Sequence, residues 1–301
     1  MIDSFSTFLI LLSCLSFRSD RWTTALINRP ALGIAPDVTW PTMLRDIFMS
    51  IAPKGLHQVM TLMCGSCSNE VAMKAVFMKY AAERRGGKDV AFSPEELSSC
   101  MKNAAPGSPN LAILSFEGSF HGRTFATLSV TRSKELHKID IPAFPWPAAP
   151  FPKLKYPLDQ HVEANRAEEE RCIRIVEEMI DTATTPVAGV IVEPIQAEGG
   201  DNYATPWFFQ QLRRLTRERR VSLIVDEVQT GGGPTGTFWC HEQWNLDTPP
   251  DIVTFSKKTQ AAGFYHNVEF RPSAGYRNFN TWVRRVYTKM KQITIARVST
   301  I

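Results

Sequence analysis

Short apolar runs alternate along the chain with longer stretches in which apolar residues recur every three or four positions. Val59–Met63, Ala112–Phe116, Ala188–Pro194, Leu223–Val228 and Ile252–Phe255 are rich in β-branched and aromatic residues and read as strands, with Gly263–Val268 as a sixth. Helical patterns lie between them. Ser68 or Asn69 caps a helix carrying Ala72, Val76, Phe77 and Tyr80 on one face, and Gly86-Gly87 stops it. The acid-rich run Val162–Asp181 is a second helix. A third opens at Thr205-Pro206, an N-cap followed by proline at the first helical position, and buries Phe208, Leu212 and Leu215. Strands alternating with helices predict an α/β domain, a mostly parallel sheet with helices on both faces. In such sheets ligands sit at the carboxyl ends of the strands. The proline-rich stretch Ile141–Tyr156 is too aromatic for a flexible linker and reads as an ordered extended segment packed on the surface.

With 301 residues, 44% of them apolar, the chain can bury a large core. The net charge of +4 is unevenly placed, because Arg284, Arg285, Lys289, Lys291 and Arg297 crowd a tail without acidic residues. Taking those five from 34 basic residues leaves 29 against 30 acidic ones, so no basic face argues for a nucleic-acid partner. Phe8–Phe17 is apolar but too short to span a bilayer, and Asp3 with no Lys or Arg before it argues against a signal peptide. It reads as an N-terminal extension. Six cysteines are too few for a disulfide framework in a chain of this length, which points to a reducing compartment.

The chemistry gathers at the ends of the strand candidates. Val221–Gln229 ends on Asp226, and 31 residues later Asp251–Lys258 ends on Lys257-Lys258. A strand that delivers an Asp and a following strand that delivers a Lys to one sheet edge suit a pyridoxal-phosphate site. There a lysine amine forms a Schiff base with the cofactor aldehyde, and a carboxylate keeps the pyridine nitrogen protonated. Side chains alternate along a strand, so only one of the two lysines is expected to face the site. Cys64–Glu70 joins the first strand to its helix, where Gly65 and Ser66 form an anion seat or a plain capped turn. Its Cys-x-x-Cys is a redox couple, half of a four-cysteine metal site, or two buried small residues. In Phe116–Arg123, Phe120 is a candidate cover for a flat ring and Arg123 a fork for a substrate carboxylate, the plainer reading being a packed Phe and a surface Arg. Glu193 and Glu198 leave their strand as two carboxylates; nothing in the sequence raises their pKa, so a supporting role is expected of both.

The motifs CGSCSNE, SFHGRT, IVEPIQAEGGDN, LIVDEVQTGGG, TFSKK and FRPSAGYRNFNTW together resemble the class III aminotransferases of fold type I, and within them the branch acting on 4-aminobutyrate. The likeness runs from about Asn28 to Trp282. It implies pyridoxal phosphate on Lys257, with Asp226 at the ring nitrogen, Gln229 by the ring hydroxyl, Phe120 on the ring face and Gly65 and Ser66 at the phosphate. It also implies a homodimer in which Thr281 reaches the phosphate of the neighbouring subunit's cofactor. Arg123 would bind the carboxylate of 4-aminobutyrate, 2-oxoglutarate would take up the amino group, and Cys64 and Cys67 would ligate a [2Fe–2S] cluster bridging two subunits. Mitochondrial location follows from the same likeness. Residues 1–27 and the basic tail 283–301 depart from the pattern, leaving 28–282 as the cofactor-binding large domain. A C-terminal small domain, with the arginine expected to pair with Glu198, is missing from the expected continuation. The alternatives are an ornithine- or acetylornithine-type aminotransferase, against which the Cys-Gly-Ser-Cys turn argues, and a catalytically silent fragment that binds cofactor or dimerises. A free Cys-x-x-Cys redox protein ranks last, since it ignores Lys257 and Asp226.

Overall fold

The computed structural model describes residues 40–274 and Arg277; Phe8–Phe17, the first 27 residues, Thr281 and the basic tail lie outside that range. Nearly all described residues belong to one compact unit, Asp46–Asn278. The helices and strands of the described residues, in chain order, are α1 (Trp40–Phe48), β1 (Gln58–Leu62), α2 (Gly65–Arg85), α3 (Pro94–Cys100), β2 (Ala112–Phe116), α4 (Phe125–Val130) and β3 (Ala148–Ala149). They continue with α5 (Val162–Asp181), β4 (Val187–Val192), α6 (Pro206–Glu218), β5 (Ser222–Asp226), β6 (Ile252–Phe255) and β7 (Ala262–His266).

The strands form one seven-stranded sheet in the order β1-β7-β6-β5-β4-β2-β3. Only β7 runs against its neighbours, β6 and β1; the other pairings are parallel. Every residue of β2, β4, β5, β6 and β7 is buried, as a sheet covered on both faces requires. Helix α2 packs across β4 to β7 with α4 beside it, while α5 and α6 pack against each other and α6 against β5. Phe208 of α6 makes edge contacts with Phe116 of β2 and with Phe151.

The six strands and three helices read from periodicity are all present, within a residue or two at the strand ends. Two expectations need correction. Helix α2 is capped by Cys64, not by Ser68 or Asn69, and starts four residues early; Cys64 is extended there and its sulfur accepts the Cys67 N–H. The proline-rich stretch is more than surface dressing: Ala148–Ala149 pairs with β2 as the edge strand β3, and Trp146, Ala149 and Phe151 are buried. Proline suits an edge strand, where one side of the backbone forms no ladder. The short helices α3 and α4 lack the length for a periodic signal and were not predicted.

Glu169 of α5 shows how the helices are locked. It is buried, and its two oxygens accept the backbone N–H of Thr205 at 2.7 Å and the Thr205 hydroxyl at 2.9 Å. A carboxylate of one helix thus secures the N-cap of the next, α6. Glu169→Ala should lower stability by about 1–3 kcal/mol, the loss of a charge-assisted bond with a polar group left unmatched. Glu169→Gln, which keeps one acceptor for the N–H, should cost less. Urea unfolding of the three proteins measures the order; equal midpoints would remove Glu169 from this role.

Candidate active site

Register brings the polar strand ends to one edge. Val192 pairs with Val225 and Asp226 with Thr254, so Glu193 just past β4, Asp226 at the end of β5 and Thr254 one residue before the end of β6 lie close to one level. The N-terminus of α2 reaches the same edge: a Cβ built on Gly65 would lie 2.6 Å from Val228 Cγ1 and 3.4 Å from Ser256 Cβ. Only glycine permits that approach.

Asp226 is buried and held from several sides. Its Oδ2 accepts Asn69 Nδ2 at 2.7 Å and bonds His121 Nδ1 at 2.8 Å, while Oδ1 accepts the Val228 N–H at 3.0 Å. Thr254 Oγ1 lies 3.4 Å from Oδ1 but 2.7 Å from Asn69 Oδ1. A hydroxyl has a single proton, and the shorter contact takes it. Asp226 Oδ1 therefore keeps a lone pair for one further donor. His121 Nε2 is buried without a hydrogen-bond partner among the described residues, a second polar atom unmatched at this edge.

The Glu193 side chain accepts the Phe120 N–H at 2.9 Å and meets no cation at hydrogen-bond distance among the described residues. Burial, and then the Asp226 carboxylate beside it, push the Glu193 carboxyl well above its ordinary value. The sequence-based expectation that nothing raises the Glu193 pKa is thus corrected by its depth at the strand end. Glu198 behaves otherwise: it is exposed, and its 2.6 Å ion pair with Lys134 holds it below the ordinary value.

The two lysines do not lie on the strand. β6 ends at Phe255, and both belong to a single 3-10 turn, Lys257–Thr259, in which both are exposed. Strand alternation therefore does not separate them. Lys257 has φ +54°, a left-handed backbone costly for a lysine. Its Nζ donates to the Gln229 side chain, and its charge acts on both Glu193 and Glu198. Lys258 Nζ instead reaches the Gln229 backbone carbonyl at 3.3 Å. Of the pair, Lys257 is the one turned toward the carboxylates.

Cys67 and Ser68 give their N–H groups to the Cys64 sulfur and carbonyl. The Gly65 and Ser66 N–H groups have no acceptor among the described residues, as the first positions of a helix leave them. The Ser66 hydroxyl is already engaged, accepting from the backbone N–H of Arg123 at 3.1 Å and of Thr124 at 3.2 Å. That contact needs Gly122, where a Cβ would stand 2.3 Å from Ser66 Oγ. Phe120 is half-buried with its ring edge-on to His137 at 5.3 Å, and Arg123 is exposed. Cys64 and Cys67 have sulfurs 3.6 Å apart. Among the described residues no group of three or more His, Cys, Asp and Glu could hold a metal within one chain.

The profile of the aminotransferase class-III family matches residues 18–283. The chain belongs to that family. It is 66% identical over 266 residues to a 4-aminobutyrate aminotransferase of Dictyostelium discoideum, covering 88% of this chain and 53% of that protein. To a mitochondrial 4-aminobutyrate aminotransferase of Homo sapiens it is 55% identical over 260 residues, 85% of this chain and 52% of that protein. A lysine aminotransferase from M. tuberculosis superposes with a TM-score of 0.70 at 30% identity, over 87% of this chain and 57% of that one. The chain thus spans about half the length of the curated relatives it matches.

Class III aminotransferases work with pyridoxal phosphate, and the residues fit it. Asp226 offers a buried acceptor for a ring N–H, and Gly65 and Ser66 offer N–H groups at a helix N-terminus for a phosphate. Lys257 is an amine at the same edge. Sequence reasoning missed Asn69 as an Asp226 donor, the His121 contact and Thr254. The only signal for His121 was its place inside Phe116–Arg123.

The raised Glu193 carboxyl has a pH consequence. Its folded form keeps a proton that the unfolded chain, with an ordinary value of 4.5, releases. Stability contributed by this group is therefore present below pH 4.5 and lost as pH rises from there to the folded value. Glu193→Gln, which keeps the acceptor for Phe120 N–H, should flatten that fall. Urea midpoints of wild type and variant between pH 4 and 8 test it, and parallel curves would show Glu193 to be ionised in the fold.

Proposed function

We propose that this chain is the cofactor-binding part of a pyridoxal-phosphate-dependent 4-aminobutyrate aminotransferase. The reaction moves the amino group of 4-aminobutyrate to 2-oxoglutarate, giving succinate semialdehyde and glutamate. The observation that carries the reading is Asp226, buried at the end of β5 with an open lone pair, beside the strand that leads into Lys257. The 66% identity to a named 4-aminobutyrate aminotransferase supports 4-aminobutyrate over the ornithine type as substrate.

Pyridoxal phosphate, when bound, supplies an aldehyde that carries the amino group and a ring that withdraws electrons. This chain's residues do the rest. Asp226 Oδ1 would accept the ring N–H and favour its charged form. Gly65 and Ser66 would hold the phosphate, with Phe120 and Gln229 as further residues for the ring. Lys257 Nζ takes the proton from the amine-bearing carbon of the substrate. Arg123 binds the carboxylate of 4-aminobutyrate as a planar fork, with Glu198 at the same substrate end. Residues 28–282 act as the large domain, flanked by 1–27 and 283–301. In a homodimer Thr281 would reach the neighbouring subunit's phosphate. Location in mitochondria rests on the naming of the human relative.

A bridging [2Fe–2S] cluster is part of the same proposal. Two thiolates about 2.3 Å from one tetrahedral metal stand about 3.8 Å apart, close to the 3.6 Å between Cys64 and Cys67. Each subunit would supply one half of the site, with iron and sulfide content as its assay.

The decisive test is turnover of 4-aminobutyrate with 2-oxoglutarate by the purified protein loaded with cofactor, followed by borohydride reduction and peptide mapping. The adduct should fall on Lys257; a Lys258 adduct would sink the assignment, and absence of turnover with retained cofactor would favour a silent binding unit. Arg123→Lys keeps the charge and loses the fork, so KM for 4-aminobutyrate should rise about tenfold or more while cofactor stays bound. Loss of cofactor with KM unchanged would move Arg123 to the other end of the site.

A further inference from the structure

Cys64 and Cys67 hold more chemistry than the amino-group reaction uses. Cys64 caps α2 in an extended conformation and is exposed; Cys67, one helical turn on, is buried. The Cys64 thiol points at the Cys67 sulfur across 3.6 Å, and Cys64 Sγ also accepts the Cys67 N–H at 3.5 Å. A disulfide has its sulfurs about 2.0 Å apart, so the exposed Cys64 side chain needs to swing only about 1.6 Å toward its neighbour. The turn is already fixed around the pair. Gly65 sits against Val228, and Ser66 is tied to Arg123 and Thr124, so closing the ring does not require ordering a loose loop. An accessible first sulfur and a sheltered second one in contact with it form the geometry of an attacking and a resolving thiol.

We propose that Cys64 and Cys67 are a redox-active dithiol that closes to an intrachain disulfide by exchange with small-molecule disulfides of the glutathione type. The Cys64 sulfur attacks one sulfur of glutathione disulfide, that S–S bond breaks, and one glutathione leaves as a thiol. The Cys67 sulfur then attacks Cys64 Sγ, breaking the mixed disulfide and releasing the second glutathione. The protein loses two electrons and two thiol protons; glutathione disulfide gains both. The closed bridge encircles Gly65 and Ser66 and removes both thiolates as metal ligands, so disulfide and metal exclude one another at this turn. None of this rests on the aminotransferase reading.

The other described cysteines are poor competitors. Burial pushes the Cys172 thiol up to about 12 and the Cys240 thiol up to about 11. The Cys100 thiol is half-buried and donates to the Leu97 carbonyl at 3.2 Å.

The test exposes the full chain, purified reduced and free of iron, to graded mixtures of glutathione and glutathione disulfide. Acid quenching, maleimide labelling and peptide mass spectrometry follow. The expected result is a Cys64–Cys67 bridge formed at least tenfold faster than any modification of Cys100, Cys172 or Cys240, and reversed by dithiothreitol. Cys67→Ser should stop at a stable glutathione adduct on Cys64. Cys64→Ser, whose hydroxyl still caps α2, should take up no glutathione at Cys67. Circular dichroism shows whether each variant is folded, and the wild-type measurement stands if one is not. Absence of the bridge under the most oxidising mixture, or first reaction at another described cysteine, would overturn the proposal. So would a Cys67→Ser protein that folds yet leaves Cys64 unmodified.

Discussion

The hydrogen bonding of one buried carboxylate organises this edge of the sheet. Taking Asp226 out of water costs several kcal/mol unless donors replace the lost solvent. The donors come from four parts of the chain: Asn69 on α2, His121 after β2, the Val228 N–H, and Thr254 on β6 acting through Asn69. Together they replace the solvent that the buried carboxylate has lost. The carboxylate thereby fixes how α2 meets the sheet, which in turn sets the Gly65–Ser66 turn. The candidate phosphate seat and the candidate ring partner are positioned by a single network.

The neighbouring carboxyl shows what happens without such a network. Glu193 lies beside Asp226 and is also buried, but among the described residues its only donor is the Phe120 N–H. Burial, and then repulsion from the Asp226 carboxylate, raise the Glu193 carboxyl well above its ordinary value. One strand end thus presents an acceptor rich in donors and the next a carboxyl that holds its proton to higher pH than usual. Divergent environments around paired acids are a common way for a site to divide its roles. Lys257 is the nearby cation, yet its Nζ is given to Gln229, outside hydrogen-bond reach of Glu193.

The strands were legible because a parallel sheet buried on both faces demands continuous β-branched runs, and Ile252–Phe255 or Val187–Val192 could do little else. Helices α5 and α6 announced themselves through length, periodicity and the Thr205-Pro206 start. The positions of Asp226 at the end of one such run and of Lys257 just past another were legible from the runs themselves. What stayed hidden depends on distance in sequence. Nothing local to Asn69 says that it reaches a residue 157 positions on, and a helix-capping role was the nearer reading. The depth of Glu193 is likewise a property of the packed edge, not of its neighbours in the chain. The lysine pair was read on strand geometry, whereas the chain leaves β6 at Ser256 and turns left-handed at Lys257.

The adjacent pair Asp226-Glu227 shows why two acids end this strand. Successive side chains leave a strand on opposite faces. Asp226 turns to the α2 face and the candidate site. Glu227, fully buried on the other side, bonds His241 Nδ1 and the His241 N–H, each at 2.8 Å. The 3-10 turn Cys240–Trp244 is thereby tied to the strand tip. Between them the chain makes the glycine-rich loop that carries Gln229, the residue that holds Lys257. Glu227 therefore acts on the site without touching it: by anchoring the far end of that loop it limits where Gln229 can stand. Exchanging the order of the two acids would keep the charge and composition of the strand end and lose both functions, since each needs its own face.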